Sequence, residues 1–280
     1  MQMPPLQSRV QSQYPFTFSQ SSLQDFTDCP RRFQLRYLDE LVWPAVEAEP
    51  VSEAEVRQRD ALLFHRMVQQ HWLGLPPGKL AAMATSSNLA RWWNNFVSAN
   101  LELSQYALHT ERMLTARLGE HRLVCKYDLL AVRTGKAVIY DWKTFARRPR
   151  DEWLAVRWQT RVYRAMLVKA GAELNNGQPF EPGEITMIYW FAEFPSEPTT
   201  LQYDEQQFTR DWSAIETSAR EISKTHVFPL TEEGAHCRFC VYRSLCDRGD
   251  QAGAWQDAEA GASEGSHLEL DFEQIGEIEF

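Results

Sequence analysis

The sequence predicts a fold of class α/β, and three observations carry that prediction. Three β-rich runs, Thr110–Leu118, His121–Arg133 and Lys136–Thr144, follow one another across turns at Gly119-Glu120 and Thr134-Gly135, the pattern of successive antiparallel strands. Stretches of helical composition lie on both sides of that block. A further strand, Glu184–Glu193, comes after a helical stretch, so helix and strand alternate through the second half.

Taken in order, residues 1–15 are polar and proline-bearing and read as a disordered N-terminus. Phe16-Thr17-Phe18 is a short strand or an apolar anchor. Ser19–Ser22 supply N-cap candidates for a helix whose apolar positions are Leu23, Phe26, Phe33 and Tyr37. Pro30 cannot donate within a helix, so a break is expected at Cys29-Pro30, with a second helical piece through Leu38. A connection spans 39–52. Glu53–Trp72 is helical, with Val56, Leu63, Met67 and Trp72 as core contacts, and Pro76-Pro77-Gly78 ends it. A further helical region covers 80–104, with Trp92, Trp93 and Phe96 inside. After the three strands, the basic loop Arg147-Arg148-Pro149-Arg150 leads into a helix over 151–169. On that helix Gln159 and Tyr163 are four apart and share a face, while Arg157, Arg161 and Arg164 are candidates for a phosphate track. Glu184–Glu193, a shorter strand at Thr199–Tyr203 and a helix over 204–224 complete the ordered part.

At 280 residues the chain has ample core for one large domain. No apolar run approaches the length of a membrane span, and the N-terminus lacks a signal-peptide layout, so a cytoplasmic protein with no membrane association is expected. The net charge of −9 is unevenly spread. Residues 247–280 hold ten acidic residues and one basic, Arg248, which leaves 28 acidic and 28 basic in residues 1–246. A neutral body of this kind binds nucleic acid if its basic groups are gathered locally.

The chemistry centres on the hairpin from Tyr127 to Thr144. Successive strand residues alternate faces, so Asp141 and Lys143 project from one side. If Asp128 faces the same way from the neighbouring strand, two carboxylates and an ammonium converge. Two close carboxylates repel unless a cation lies between them, and Mg²⁺ favours carboxylates together with water and phosphate oxygen. The lysine then stabilises developing negative charge or orients a water. An ordinary charged surface hairpin would carry the same letters, since Asp-x-Lys alone is a common pattern.

Cys237-x₂-Cys240-x₅-Cys246 places three thiols close together, which points to metal rather than disulfides in a reducing compartment. Zinc and an iron–sulfur cluster both suit thiolates. For the fourth ligand Cys125 reads as a small buried strand residue, whereas Cys29 sits at a helix break. Choosing Cys29 closes a loop of 208 residues to Cys237.

An ordered set of short motifs then stands out: Ser19–Leu23 through Cys29-Pro30-Arg31-Arg32-Phe33, His65, Asp128, Asp141-Trp142-Lys143, Gln159-Thr160-Arg161-Val162-Tyr163 and the late cysteines. Over roughly residues 17–248 the chain resembles the PD-(D/E)XK nuclease superfamily, specifically the RecB-like branch with an iron–sulfur staple, as in AddB-type nuclease domains and CRISPR-associated adaptation nucleases. The resemblance implies a restriction-endonuclease-like fold, a central mixed sheet flanked by helices, with a four-cysteine cluster joining the N- and C-terminal segments. It implies that His65, Asp128 and Asp141 ligate Mg²⁺ or Mn²⁺, that Lys143 assists the attacking water, and that Gln159 and Tyr163 place the strand or the site's side chains. Cys29, Cys237, Cys240 and Cys246 would hold a [4Fe–4S] cluster, with structural Zn²⁺ as the alternative. The chain departs from the family's pattern at Ala61, where glycine is usual, and at Val124-Cys125-Lys126-Tyr127, where a glycine is replaced and only the base is kept.

The function expected is metal-dependent DNA hydrolysis, as an exonuclease on single strands or ends, in repair, recombination or defence. A catalytically inactive DNA-binding or scaffolding subunit is the alternative. The expected organisation is a nuclease domain over 16–248 followed by an acidic, disordered tail over 249–280. That tail alternates acidic and apolar residues from Leu268 to Phe280 and reads as a solubilising segment, a recognition peptide for a protein partner, or a DNA mimic.

Overall fold

A computed structural model of the chain describes residues 15–41, 53–237 and 240–249. The expectations for residues 1–14, 42–52 and the tail over 250–280 lie outside the described residues. The elements are β1 (Thr17–Phe18), α1 (Gln20–Asp28), α2 (Pro30–Phe33), α3 (Glu53–Trp72), α4 (Pro77–Ala81), α5 (Ser87–Ala99), β2 (Ala107–Leu118), β3 (His121–Arg133), β4 (Lys136–Lys143), α6 (Asp151–Val156), α7 (Trp158–Ala170), β5 (Ile185–Phe191), β6 (Thr199–Gln202), α8 (Glu205–Lys224) and α9 (Gly234–Cys237). Among the described residues no helix is long and apolar enough to cross a membrane.

The strands form one mixed sheet. β2–β3, β3–β4 and β5–β6 pair antiparallel, while β1–β3 and β4–β5 pair parallel, the latter through the crossover that contains α6 and α7. β2 runs along one edge of β3. The other edge is shared: β1 takes Arg122 and Leu123, and β4 takes Leu129 to Arg133. Between them residues 124–128 have no strand partner on that edge among the described residues. The sheet is thus forked at Asp128.

Helices cover both faces. On one, α1, α2, α7 and α8 pack over Cys125, Tyr127, Leu130, Ile139 and Met187. On the other, Phe64, Met67 and Val68 of α3 and Trp92, Trp93 and Phe96 of α5 cover Leu129, Tyr140, Trp142 and Trp190. Period-two alternation is kept along β4, where Ile139 belongs to the first core and Tyr140 and Trp142 to the second. Along β3 it changes phase. Cys125 and Tyr127 face the first core, yet so do Leu130 and Val132. The break falls at Asp128, and across from it on β2 Glu111 takes a left-handed backbone with φ 51°.

Two predicted helices are subdivided. The region over 80–104 is α4 and α5: Pro77 sits at the start of α4, where its missing N–H costs nothing, and Ser86 caps α5 by accepting from Leu89 N at 3.1 Å. The helix over 151–169 breaks at Arg157, whose backbone is extended (ψ 148°). The break separates α6 from α7. The far end of α7 is fixed by a close approach: a Cβ on Gly171 would collide with Leu167 O and lie 3.0 Å from the ring of Phe180. Gly171→Ala should therefore destabilise the chain by about 2–3 kcal/mol, read as a lower denaturation midpoint with unchanged slope.

Candidate active site

Side chains from four elements meet at the fork. Because β4 leaves β3 beyond the pair Leu129–Tyr140, Trp142 N finds no ladder partner there and donates to Asp128 Oδ2 at 2.9 Å. The carboxylate replaces a strand as the acceptor. His65, reaching in from α3 on the opposite helical layer, places Nδ1 3.4 Å from the same oxygen.

Asp141 and Lys143 extend from β4 toward α7, where Gln159 bridges them. Gln159 Nε2 donates to Asp141 Oδ1 at 2.8 Å, and Lys143 Nζ donates to Gln159 Oε1 at 2.8 Å. The amide orientation follows from chemistry, since an ammonium only donates and a carboxylate only accepts. Gln159 Nε2 also lies 3.3 Å from the Tyr163 hydroxyl, one helical turn along. The structure therefore brings His65, Asp128, Asp141, Lys143, Gln159 and Tyr163 into one constellation.

The two carboxylates are pushed in opposite directions. Burial raises the Asp141 carboxyl to about 7; nearby Asp128 adds to the rise, while Lys143 and His65 oppose it. For Asp128 burial works the same way, but His65, the Trp142 N–H and Lys143 outweigh it and hold the carboxyl below its ordinary value. Burial would lower His65, yet Asp128 raises it overall. Asp128 and His65 thus favour each other's charged forms. Asp141 Oδ2 is only 3.0 Å from Lys143 Nζ, an ion-pair distance, but it is buried with no hydrogen bond aimed at it.

Several residues that fix this geometry carry no motif. Tyr127, buried beneath α7, donates its hydroxyl to Tyr163 O at 2.8 Å. Thr160 Oγ1, which donates to Leu154 O, accepts from the Tyr189 hydroxyl at 2.7 Å, tying α7 to β5. Arg57 of α3 donates to Thr144 O at 2.5 Å, holding the end of β4. Only a sheet register known in advance would have singled them out. The phosphate track expected of Arg157, Arg161 and Arg164 does not form as a set. Arg164 is buried against Asp211 at 3.2 Å and donates to Gln202 O, and Arg157 is buried over the Trp153 ring at 4.6 Å. Only Arg161 of the three reaches an open cleft.

A second gathering lies where the first and last described segments meet. Cys29 occupies the junction of α1 and α2, in extended backbone that Pro30 enforces. The late segment is sewn to it: Arg31 N donates to Pro229 O at 3.1 Å, Phe228 stacks on Phe33 at 6.0 Å, and the Tyr242 hydroxyl donates to Leu41 O at 2.8 Å. All five cysteines are free thiols. Burial raises the Cys240 thiol, with Cys29 and Cys246 adding to the rise; burial raises Cys246 likewise, with Cys29 and Cys237 adding. These four sulfurs are electrostatic neighbours, whereas Cys125 is fully buried in the first core. Among the described residues no three His, Cys, Asp or Glu side chains are drawn into a closed metal-binding set, at either place.

A search of curated proteins finds no match. Among solved structures, one described as a "putative exonuclease" from Eubacterium rectale superposes with a TM-score of 0.50 at 13% identity, covering 93% of this chain and 99% of that one. Another, SSO0001, gives a TM-score of 0.37 at 11% identity over 84% of this chain and 87% of that one. At such identities the first likeness speaks to the fold alone, and the second is too weak to argue from. The family profile described as PD-(D/E)XK nuclease superfamily matches residues 17–247. With that match spanning the forked six-stranded sheet and both helical layers, the chain belongs to the PD-(D/E)XK nuclease superfamily.

Proposed function

We propose that the chain is a metal-dependent deoxyribonuclease of the RecB-like branch, acting on single-stranded DNA or DNA ends. Residues 16–248 are its nuclease unit and 249–280 an appended acidic tail. The observation that carries the reading is the fork itself: an imidazole and two carboxylates on separate elements, beside one ammonium, with Asp141 Oδ2 buried and met, among the described residues, by no donor but the Lys143 ammonium 3.0 Å away. An acceptor left in that state in a low-dielectric site suits a hard cation.

His65, Asp128 and Asp141 would hold Mg²⁺ or Mn²⁺. Bound there, the ion would polarise the scissile phosphate and offset the repulsion between the carboxylates. The chain's own groups do the rest. Lys143 sits 3.0 Å from Asp141, where its ammonium orients a water and stabilises negative charge gathering on phosphate. Gln159 holds that ammonium and Asp141 Oδ1 in fixed relation, and Tyr163 limits the swing of the amide. Gln159→Leu should thus lower hydrolysis by roughly 10–100-fold while circular dichroism stays that of the parent chain.

Cys29, Cys237, Cys240 and Cys246 would hold a [4Fe–4S] cluster. Four free thiols, one at residue 29 and three within residues 237–246, near enough that Cys29 acts on both Cys240 and Cys246, form a donor set of that type. The cluster would act as a structural clamp. Absorption at about 400 nm in the purified chain would support it over zinc, which is colourless.

The test is end-labelled single- and double-stranded DNA incubated with purified chain and Mg²⁺ or Mn²⁺. Metal-dependent shortening from an end, faster on single strands, is expected. DNA binding without hydrolysis under any divalent metal would instead favour the scaffolding subunit.

A further inference from the structure

A cleft of about 690 Å³ opens between α1, α7 and α8, outside the carboxylate site. Its floor is one face of α8, where Arg210, Ser213 and Thr217 recur at helical spacing. The opposite face of the same helix carries the apolar burial, through Ile215, Ala219 and Ile222. The exposed face therefore has no packing task, yet it is small, polar and basic at one end.

The wall is Trp158, the first residue of α7, held as a fixed plate. Its Nε1 donates to Thr27 Oγ1 at 2.8 Å, and Thr27 in turn donates to Leu23 O at 2.9 Å. The Arg161 guanidinium lies 5.5 Å from the indole centroid, with only a long 3.8 Å contact to Asp211. Arg210 is exposed and makes no ion pair or hydrogen bond to the described residues. A lone acid, Glu221, lies at the far end of the floor. An anchored aromatic plate, two guanidinium groups with little or no ion pairing, and a row of hydroxyls form a set that reads base faces and phosphates without reading sequence.

We propose that this cleft binds a segment of single-stranded nucleic acid, one base stacking on Trp158 and backbone phosphates meeting Arg161 and Arg210. It deepens the nuclease reading, on which it rests for the identity of the ligand. The adjacency supports it: Trp158 and Gln159 are consecutive on α7, one facing the cleft and the other clamping Asp141. A strand in the cleft is thereby led to the turn of helix that holds the carboxylate.

Binding is measured on the full chain with EDTA present, so that no hydrolysis is needed and failure of catalysis leaves this result readable. The probe is fluorescent oligothymidylate of about 20 nucleotides, followed by anisotropy across a salt series. Arg210→Glu should weaken binding roughly fivefold to tenfold and flatten the log–log salt slope by about one. Thr217→Lys, on the same exposed face, should tighten binding and steepen the slope. Iodouridine in the strand should photocrosslink to Trp158. Unchanged affinity and slope in both variants, or crosslinks only outside the cleft, would overturn the proposal. So would thymidine monophosphate competing as well, mole for mole, as the oligonucleotide, which would make the ligand a mononucleotide. A peptide of residues 268–280 that binds the parent chain and is lost in Arg210→Glu, while oligothymidylate is not, would assign the cleft to the acidic tail instead.

Discussion

Asp141→Ala should abolish metal-dependent DNA hydrolysis, a loss on the order of 10³-fold or more, while leaving the fold intact. Asp141 is the point on which the proposed site turns: it receives the Gln159 amide, pairs with Lys143 and keeps Oδ2 buried without a hydrogen bond. Alanine would remove the second of the two carboxylates proposed to hold the cation and leave the Lys143 ammonium without its partner acid. Measured with Mn²⁺ on single-stranded DNA, residual activity equal to the parent's would point to a contaminating nuclease.

The same variant separates chemistry from stability. In the native chain the Asp141 carboxyl is raised from its ordinary 3.8 to about 7, chiefly by burial. A raised folded-state value means that its contribution to stability is fully present below the unfolded value and is lost as pH rises through about 7. In EDTA, the melting temperature of the parent relative to Asp141→Ala should therefore fall between pH 5 and pH 8, by a few degrees. Added Mn²⁺ should reverse that fall at neutral pH, because a cation bound to the folded state favours the ionised acid.

The second large effect is expected at Cys29. Cys29→Ser should strip the absorption at about 400 nm and lower the melting temperature by roughly 10 °C, corresponding to about 4 kcal/mol. The reason is loop length. Cys29 and Cys237 are 208 residues apart, so the proposed shared cluster would remove more chain entropy from the unfolded state than any local contact could. The hydrogen bonds across that junction include Arg31 N to Pro229 O and the Tyr242 hydroxyl to Leu41 O. Cys125→Ser, buried in the first core, should keep the chromophore and lose stability only through packing. A Cys29→Ser chain as coloured and as stable as its parent would remove the cluster from the account.

Much of this was legible in the sequence because the signals were local. The glycine turns at Gly119 and Gly135 mark the β2–β3 and β3–β4 hairpins, both with positive φ, and alternation along β4 placed Asp141 and Lys143 together before any coordinates. The four-residue spacing put Gln159 and Tyr163 on one face. The fork at Asp128 was not legible. Leu129-Leu130-Ala131-Val132 is uniformly apolar, so a change of phase in β3 leaves no trace in the pattern. Nor does sequence tell that Trp142 donates its backbone N–H to a side chain, or that Arg164 pairs inward with Asp211 rather than lining a track. Those depend on which strand ends first, a property of the whole sheet.

The most direct test is the uptake of Mn²⁺ followed by electron paramagnetic resonance on the full chain after removal of adventitious metal. The account predicts one tightly held Mn²⁺ per chain, released from Asp128→Asn and from Asp141→Asn and weakened in His65→Ala. Uptake that is absent from the parent, or undiminished when both acids are replaced, would contradict it.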